Sequence, residues 1–403
     1  MHAREINFFD PELARDPYPA YEALQRDAPA LWSDQLYGWV ITRHEDCAAL
    51  LRDRRMSSAR MPRLFAMLYG QTPIDPASVT YEHHTRTMLF ADPPEHTRLR
   101  ATMARAFTPR ALAAYREPIA RTVAHALDTF TAGTAGDAQT GFARPISGAV
   151  IAEIMGVPAA DRAQVAAWTA AAIGFLRGAA GGPELQAAVE QALRQFLAYV
   201  EGLIAERREH PREDLISFLV EAHEQERLSD WELSNQTVQL IAAGQFTIDE
   251  TIGMSILTLL EHPDQLARLK ASPELWEGAV EECVRHTTPA QAIHRIVAEP
   301  VELHGETLRA GDLVYLFLGA ANSDARVFPE PRRFDVARPE ASRHLGFAVG
   351  PHFCLGASLA RIELHTALRG FFERLPDVRL AGAPAPLPAG IFARALLSLP
   401  LAW

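Results

Sequence analysis

HLGFAVGPHFCLGASLARIE, residues 344–363, sets one cysteine among glycines and aromatic residues immediately before a helix-forming run. A lone cysteine in apolar surroundings is most often a small buried hydrophobic residue. Here Gly350 and Gly356 bracket Cys354, so the backbone can bend tightly around the sulfur and direct amide N–H groups towards it. Such a setting stabilises a thiolate over a thiol and predicts that Cys354 is a ligand.

The neighbours of this cysteine indicate what the thiolate binds. Phe347 and Phe353 would keep water away from the sulfur, and a buried thiolate needs a cation to be tolerable. One cysteine without a second thiol, in flat apolar surroundings, fits a haem iron best. His352 would then reach a haem propionate, whereas without this context it would be an ordinary loop histidine.

Composition excludes several other classes of protein. The 403 residues, of which 48% are hydrophobic, suffice for a substantial core. The chain has 39 basic and 50 acidic residues, a net charge of -11, which argues against non-specific binding to nucleic acid. Its three cysteines, Cys47, Cys283 and Cys354, include no C-x-x-C pair, which argues against a disulfide scaffold and a structural zinc site.

The cellular location is also predicted from sequence. The first residues are charged and proline-rich, without the apolar segment of a signal peptide, and no later stretch has the length needed to span a bilayer. We therefore expect a cytoplasmic protein that binds no membrane. A monomer is expected as well.

Hydrophobic periodicity predicts a mainly α protein with a small β region. Apolar spacings of three and four predict helices at 101–132, 143–177, 184–208, 231–262, 264–287 and 355–373. Short β-like runs lie at 38–42, 295–303 and 313–318 and in the C-terminal tail. Because no repeat or low-complexity linker interrupts the chain, residues 1–403 are predicted to form one domain. The glycine-rich stretch 177–184 is predicted to be a hinge that lets its flanking helices act as a lid.

The opening stretch resembles the haem-binding signature of the cytochrome P450 family, F-G-x-G-x-H-x-C-x-G. The match comprises Phe347, Gly350, His352, Cys354 and Gly356. Ala348 stands where the family usually has its first glycine. The resemblance extends in order from FDPELARDPYPAYEALQ near the N-terminus to the closing LSLPLAW. It implies the family's fold, an α-rich domain with a long central helix over the haem and minor β-sheets.

A second part of the resemblance is structural. Glu282 and Arg285 form an E-x-x-R pair three residues apart, and the resemblance adds Arg333 from FPEPRRFD to complete a buried Glu–Arg–Arg ion network beneath the haem. Taken alone, an E-x-x-R pair would more often lie on a solvated helix face.

The resemblance also assigns residues to the haem propionates. His96 and Arg100, four apart in DPPEHTRLR, and Arg295, in IHR, are placed against them. Arginine suits this role because its fork donates two parallel hydrogen bonds to a carboxylate.

The oxygen-activating helix departs from the family pattern. The family commonly has A-G-x-[Asp or Glu]-[Thr or Ser] there, and this chain has Ala243, Gly244, Gln245, Phe246 and Thr247. Thr247 keeps the hydroxyl that steers protonation, and the small pair before it leaves room for a distorted turn. The usual acid is replaced by Phe246, which we interpret as a wall of the substrate pocket.

Two nearby acids, Asp249 and Glu250, are candidate replacements for the usual acid. At 100° per residue, Asp249 lies about 120° from Ala243 and should point elsewhere, whereas Glu250 lies about 20° away, on the face of Thr247. Glu250 is therefore the better candidate for proton delivery. A structural ion pair at Glu250 is an equally acceptable interpretation.

Family position also outlines a substrate pocket that is mostly apolar and aromatic. Its predicted lining is Leu64, Phe65, Leu240, Phe246, Gln291, Ile293 and Phe392, with Gln291 as a possible polar contact. His83 and His84 are a further polar possibility, although adjacent histidines in a loop are more often solvated.

The resemblance implies a haem-thiolate monooxygenase that holds haem b (iron protoporphyrin IX) and inserts one oxygen atom from O2 into an apolar or aromatic small molecule. Because the sequence contains no flavin or nicotinamide domain, electrons would come from a separate ferredoxin and its NAD(P)H-dependent reductase. Phe246 leaves oxidative coupling or peroxide-driven oxidation open as alternative chemistry. A haem-thiolate sensor without turnover is disfavoured by Thr247 and the apolar pocket.

Overall fold

A computed structural model of the chain describes residues 2–70, 72–176, 182–226, 228–387, 392 and 394–403. Most of the predicted hinge, residues 177–181, lies outside the described residues. The lid therefore stays a prediction.

The described residues are mainly helical, which confirms the predicted fold class. The α-helices are α1 (Pro11–Arg15), α2 (Tyr18–Asp27), α3 (His44–Leu50), α4 (Met61–Tyr69), α5 (Val79–Thr85), α6 (Glu95–Ala104), α7 (Pro109–Phe130), α8 (Arg144–Met155), α9 (Arg162–Leu176), α10 (Pro183–Glu209), α11 (Leu215–Glu226), α12 (Asp230–Glu261), α13 (Pro263–Ala271), α14 (Trp276–Thr287), α15 (Leu318–Ala321) and α16 (Ala357–Arg374).

The strands are short. They are β1 (Ala30–Ser33), β2 (Gly38–Ile41), β3 (Met56–Ser57), β4 (Ala135–Asp137), β5 (Ala292–Val297), β6 (Val301–Leu303), β7 (Glu306–Leu308), β8 (Leu313–Phe317), β9 (Arg379–Leu380), β10 (Ala385–Pro386), β11 (Leu396–Ser398) and β12 (Pro400–Ala402). The largest sheet among the described residues has the order β1-β2-β8-β5-β3, in which β2 and β8 are parallel.

Three predicted helices are interrupted. The segment 101–132 contains the end of α6 and then α7, with a 3-10 turn at Arg105–Phe107 between them. The other two segments break at a glycine or a proline. The segment 143–177 contains two helices, α8 and α9, because Gly156 adopts a φ of 74° and Pro158 follows. The segment 264–287 is likewise divided into α13 and α14 at Pro273. In both places the apolar spacing continues across the break, so periodicity alone missed it.

The long helix α12 begins at a capping box. The hydroxyl of Ser229 accepts from the amide of Glu232 (3.2 Å), and the Glu232 carboxylate accepts from the amide of Ser229 (2.7 Å). These two bonds satisfy amides that the first helical turn would otherwise leave without partners. Arg98 of α6 pairs with the same carboxylate.

The described residues group into two compact units. The first comprises Met1–Ser57, Val123–Ile146 and Thr247–Trp403, and the second comprises Ser58–Thr122 and Ser147–Phe246. Helices α7, α8 and α12 contribute residues to both. The prediction of a single domain stays a prediction. No helix of the described residues is long and apolar enough to cross a membrane.

Candidate active site

The cysteine loop, residues 344–356, presents Cys354 just before α16. The amide of Cys354 donates to the carbonyl oxygen of Phe347 (2.9 Å), and its carbonyl oxygen accepts from Ala357, the first residue of α16 (3.3 Å). Cys354 is exposed, whereas Cys47 and Cys283 are buried. The dipole at the start of this 18-residue helix favours a thiolate at Cys354.

Two residues of the cysteine loop have left-handed backbones. Gly350 has a φ of 79°, and a Cβ there would lie 2.7 Å from the carbonyl oxygen of Leu51, so only glycine fits. Ala348, which replaces the family's glycine, has a φ of 53°. The left-handed region costs an L-residue about 1–2 kcal/mol. Burial of the Ala348 methyl group in the core beside Leu51 and Leu345 offsets part of this strain.

The donor chemistry of the cysteine loop fits a haem. Across the part of the chain that the structure describes, no group of three or more His, Cys, Asp and Glu side chains could hold a metal ion. A porphyrin supplies the other ligands of an iron that is bound by one thiolate, so a single cysteine donor is compatible with a haem. Phe353, 40% exposed, adds an apolar surface beside the cysteine.

The buried ion network that supports this loop contains Arg338, and the prediction of Arg333 as its third member is wrong. Arg285 pairs with both carboxylate oxygens of Glu282 (2.6 and 2.8 Å), and Arg338 Nε lies 3.1 Å from Glu282 Oε1. All three side chains are buried. Arg333 is 57% exposed and pairs with Glu330. Its charge stays solvated, while its carbonyl oxygen accepts from Arg338 (2.7 Å).

Asn322 connects this network to the cysteine loop, a role that sequence reasoning missed. Arg285 donates to the carbonyl oxygen of Asn322 (2.8 Å), and the Asn322 side chain accepts from the amide of Leu345 (2.6 Å). The side-chain nitrogen of Asn322 donates to the hydroxyl oxygen of Thr288 (2.9 Å). A shift of the ion network would therefore move the start of the cysteine loop.

The four residues predicted to contact the propionates are divided between the two units. In the second unit, His96 is buried and Arg100 half-buried, one turn apart on α6. In the first unit, Arg295 is buried on β5 opposite Val314, and His352 is half-buried in the cysteine loop. Their roles towards the propionates stay predictions.

Helix α12 is buried along most of its length. Between Leu233 and Leu259 its residues are all buried except Ala243 and Thr247, which are exposed, and Gly244 and Phe246, which are half-buried. Ala243 and Thr247 are four apart and share one helical face. The positions predicted to face oxygen are therefore those that this stretch leaves accessible.

Gly244 takes part in helix packing, and its predicted contact with the cofactor stays a prediction. A Cβ at Gly244 would lie 2.9 Å from the side chain of Ile151 on α8, so the missing side chain lets the two helices approach closely. Helix α12 is continuous through this point, and the distorted turn stays a prediction. The hydroxyl of Thr251 does donate to the carbonyl oxygen of Thr247 (2.5 Å).

The two candidate acids are both buried, in different surroundings. Asp249 lies 3.7 Å from Arg144, and its carbonyl oxygen accepts from Gln139 (3.4 Å), so it belongs to the packing of α12 as the helical spacing predicts. Glu250 is buried on α12, three residues after the exposed Thr247. Its role in proton delivery stays a prediction.

The predicted substrate residues form separate groups in the two units. In the second unit, Phe65 is buried on α4 against Tyr81 and His84. The other predicted substrate residues of that unit are Leu64 on α4 and Leu240 and Phe246 on α12. In the first unit, Phe392 lies against Tyr315 (ring centroids 5.7 Å apart), and Ile293 is half-buried on β5. Their contact with substrate stays a prediction.

Gln291 is a scaffold residue, so its prediction as a polar substrate contact is wrong. Its side-chain oxygen accepts from the hydroxyl of Tyr21 (2.7 Å), and its amide nitrogen donates to the carbonyl oxygens of Thr287 (3.3 Å) and Thr288. A Cβ at Gly319 would lie 1.9 Å from that oxygen. The amide is thus fully used within the protein.

His83 and His84 are buried on α5, contrary to the expectation of a solvated loop. His83 Nδ1 lies 2.6 Å from the side-chain oxygen of Asn235, and His84 Nδ1 lies 2.7 Å from the carbonyl oxygen of Thr80. Burial lowers the pKa of His83 to about 3 and that of His84 to about 4. Both imidazoles are therefore neutral at physiological pH.

These two histidines make stability depend on pH. Since their folded pKa values lie below the unfolded value of about 6.5, the unfolded chain binds more protons as pH falls from about 6.5 towards 4. For each histidine, the free energy of unfolding should fall by about 1.4 kcal/mol per pH unit as the pH is lowered through that window. In urea titrations, His83→Gln should reduce this slope by about that amount, and His210→Gln, at an exposed site, should not. Equal slopes in wild type and His83→Gln would contradict the burial argument.

The sequence of this chain is similar to those of known cytochromes P450. The family model described as Cytochrome P450 matches residues 273–375. The chain is 36% identical to the biotin biosynthesis cytochrome P450 of Bacillus subtilis (strain 168), over 92% of each chain. It is 38% identical to nocardicin C N-oxygenase of Nocardia uniformis subsp. tsuyamanensis, over 99% of this chain and 98% of that protein.

Solved structures agree over almost the whole chain. CalO2 superposes with a TM-score of 0.90 at 33% identity, covering 99% of this chain and 98% of that one. P450BioI, crystallised in complex with an acyl carrier protein ligated to hexadec-9Z-enoic acid, superposes with a TM-score of 0.87 at 35% identity, covering 97% and 99%.

Proposed function

The chain belongs to the cytochrome P450 family of monooxygenases, and on that premise we propose that it inserts one oxygen atom from O2 into an apolar or aromatic small molecule. The observation that carries this proposal is the exposed Cys354 at the start of α16, in a loop braced by the buried Glu282 network. The cofactor proposed is haem b, which when bound supplies dioxygen activation and accepts electrons singly.

The chain's own residues have distinct parts in this proposal. Cys354 would supply the thiolate that binds the haem iron, and Phe353 would shield the sulfur from water. His96, Arg100, Arg295 and His352 would hold the propionates through charge-assisted hydrogen bonds. The hydroxyl of Thr247, on the exposed face of α12, orients a proton donor towards the reacting oxygen.

The substrate class follows from the side chains available to line a pocket. With Gln291 committed to the scaffold, the remaining candidates, Leu64, Phe65, Leu240, Phe246, Ile293 and Phe392, are all apolar. Apolar walls bind by burial of carbon surface and select by shape. Both relatives named above act in the biosynthesis or oxygenation of small molecules by name, which is compatible with such a substrate.

The proposed electron source is a ferredoxin with an NAD(P)H-dependent reductase. The proposal rests on the likeness of this chain to bacterial cytochromes P450, two of which match 92% and 99% of it. We place this partnership in the cytoplasm, where reduced nicotinamide is available.

Oxygen labelling tests the proposal. The purified ferric protein is first screened for small molecules that shift its Soret band, with fatty acids, steroids and aromatic compounds as probes. A ligand found in this way is then supplied with ferredoxin, reductase, NADH and 18O2. The expected product carries one labelled oxygen atom and requires every component. A product without label, or coupled dimers of the substrate, would instead support oxidative coupling.

Because Phe246 replaces the usual acid, proton delivery to the reacting oxygen is the step most open to failure in this reaction. If no group delivers protons in its place, reduced nucleotide should be consumed with release of hydrogen peroxide, and Phe246→Glu should raise the product formed per NADH. If Glu250 delivers them, Glu250→Gln should slow turnover by about 100-fold or more while haem binding is retained. Asp249→Asn is the matched control, since Asp249 faces Arg144. Unchanged yield and peroxide release in both test variants would leave Phe246 as a pocket wall only.

A further inference from the structure

A pair of charges lies behind the cysteine loop, outside the buried Glu282 network. Arg361 of α16 donates to both carboxylate oxygens of Glu281 on α14, from Nε (2.6 Å) and Nη2 (2.8 Å). His344 Nε2 lies 3.4 Å from the same carboxylate. Two parallel hydrogen bonds and a third contact fix the plane of the guanidinium.

The fixed guanidinium stacks on the ring of Phe347. Its central carbon lies 4.7 Å from the ring centroid, and the His344 ring lies 5.4 Å from the same centroid on a tilted plane. The carbonyl oxygen of Phe347 in turn accepts from the amide of Cys354 (2.9 Å). The positive charge therefore rests against the residue that is hydrogen-bonded to the cysteine.

The charges are also coupled electrostatically. The pKa of Arg361 is raised, first by its hydrogen bonds to Glu281 and additionally by the negative charge of Cys354. Burial disfavours the charged form of Glu281, but the hydrogen bonds from Arg361 and the nearby His344 ring outweigh it and lower the pKa of Glu281 to about 2. At neutral pH both partners are therefore ionised, and the positive charge of Arg361 interacts with Cys354.

Arg361 remains accessible from outside. Its side chain is 36% exposed and lines a cavity of about 540 Å³ together with Arg52 and Arg343. An arginine needed only for packing would gain more from full burial of its stem. The bidentate clamp instead holds a partly solvated charge in one place.

Resting on the proposed haem function, we infer that Arg361 sets the reduction potential of the haem. Held by Glu281 against Phe347, its positive charge offsets the negative charge of the Cys354 thiolate and so favours addition of an electron to the haem. Glu281 has two opposed effects, since it holds Arg361 in place and its own charge weakens the effect of Arg361.

The sign and size of the effect follow from the charges. Without Arg361 the ferric form should be favoured, so the ratio of ferrous to ferric haem at a fixed mediator potential should fall by about two- to fivefold, a modest range because the group is partly exposed. Without the Glu281 charge the same ratio should rise. Added salt should shrink both shifts.

Spectroelectrochemical titration of the haem-loaded protein tests the inference. The variants are Arg361→Gln, Arg361→Lys and Glu281→Gln, with Arg369→Gln as matched control. Arg369 lies on the same helix and pairs with Glu373 (2.7 Å), eight residues beyond Arg361. Haem content and the carbon monoxide difference spectrum are recorded for every variant, because a purely structural role would change these and not the potential.

The expected result is a lower potential for Arg361→Gln, a higher one for Glu281→Gln, and wild-type values for Arg361→Lys and Arg369→Gln. An unchanged potential in Arg361→Gln, or a shift in Arg361→Lys as large as that in Arg361→Gln, would overturn the inference. A wild-type protein that binds no haem, or binds it without the thiolate-type band, would overturn the proposed function instead.

Discussion

Replacement of Cys354 by serine is expected to abolish the thiolate-type carbon monoxide spectrum and all oxygenation, while the far-ultraviolet circular dichroism stays that of the wild type. A serine hydroxyl does not ionise at neutral pH and cannot donate the electron density that a thiolate gives to haem iron. The fold should tolerate the change because Cys354 is exposed and its backbone bonds to Phe347 and Ala357 remain possible.

Cys283→Ala is the control for this experiment. Burial raises the pKa of Cys283 to about 12, so its thiol stays neutral and cannot be the ligand. That variant should keep the red-shifted band and lose only some stability through a small buried void. Retention of the band in Cys354→Ser would show that another residue binds the iron.

Removal of Glu282 is expected to have the largest effect on stability. Glu282→Ala leaves Arg285 and Arg338 buried without their carboxylate, and breaking a buried pair in this way typically costs 3–5 kcal/mol. We expect the free energy of unfolding in urea to fall by about that amount and the cysteine loop to lose bound haem, since Asn322 links the network to Leu345.

Arg333 and Arg338 supply a matched pair of controls. Arg338→Gln should lower the free energy of unfolding by more than 1 kcal/mol, because it removes a buried charge-assisted hydrogen bond to Glu282 and donors to three carbonyl oxygens. Arg333→Gln should change it by less than about 1 kcal/mol, as is usual for an exposed pair. The reverse order would restore the assignment of Arg333.

The sequence alone was sufficient for the family, the fold class and the cysteine loop. The glycines and the cysteine of that loop act through local backbone geometry, so their spacing carries the information: Gly350 is required by its φ and by the nearby Leu51 carbonyl, and Cys354 by its place before α16. The same holds for the face of α12 that exposes Ala243 and Thr247, since helical period alone puts them together.

Tertiary structure decided which of several similar residues meet. Glu282 and Arg338 are 56 residues apart, and the path of the intervening loop, rather than any local pattern, brings Arg338 inward and leaves Arg333 in solvent. In the same way, the hydroxyl of Tyr21 donates to the side-chain oxygen of Gln291, which is 270 residues away in sequence. Asn235 is hydrogen-bonded to the buried His83, which is 152 residues away. Pairings over such separations depend on the packing of the whole chain and on the free-energy cost of leaving a buried polar group unpaired. Neither can be predicted from a short stretch of sequence.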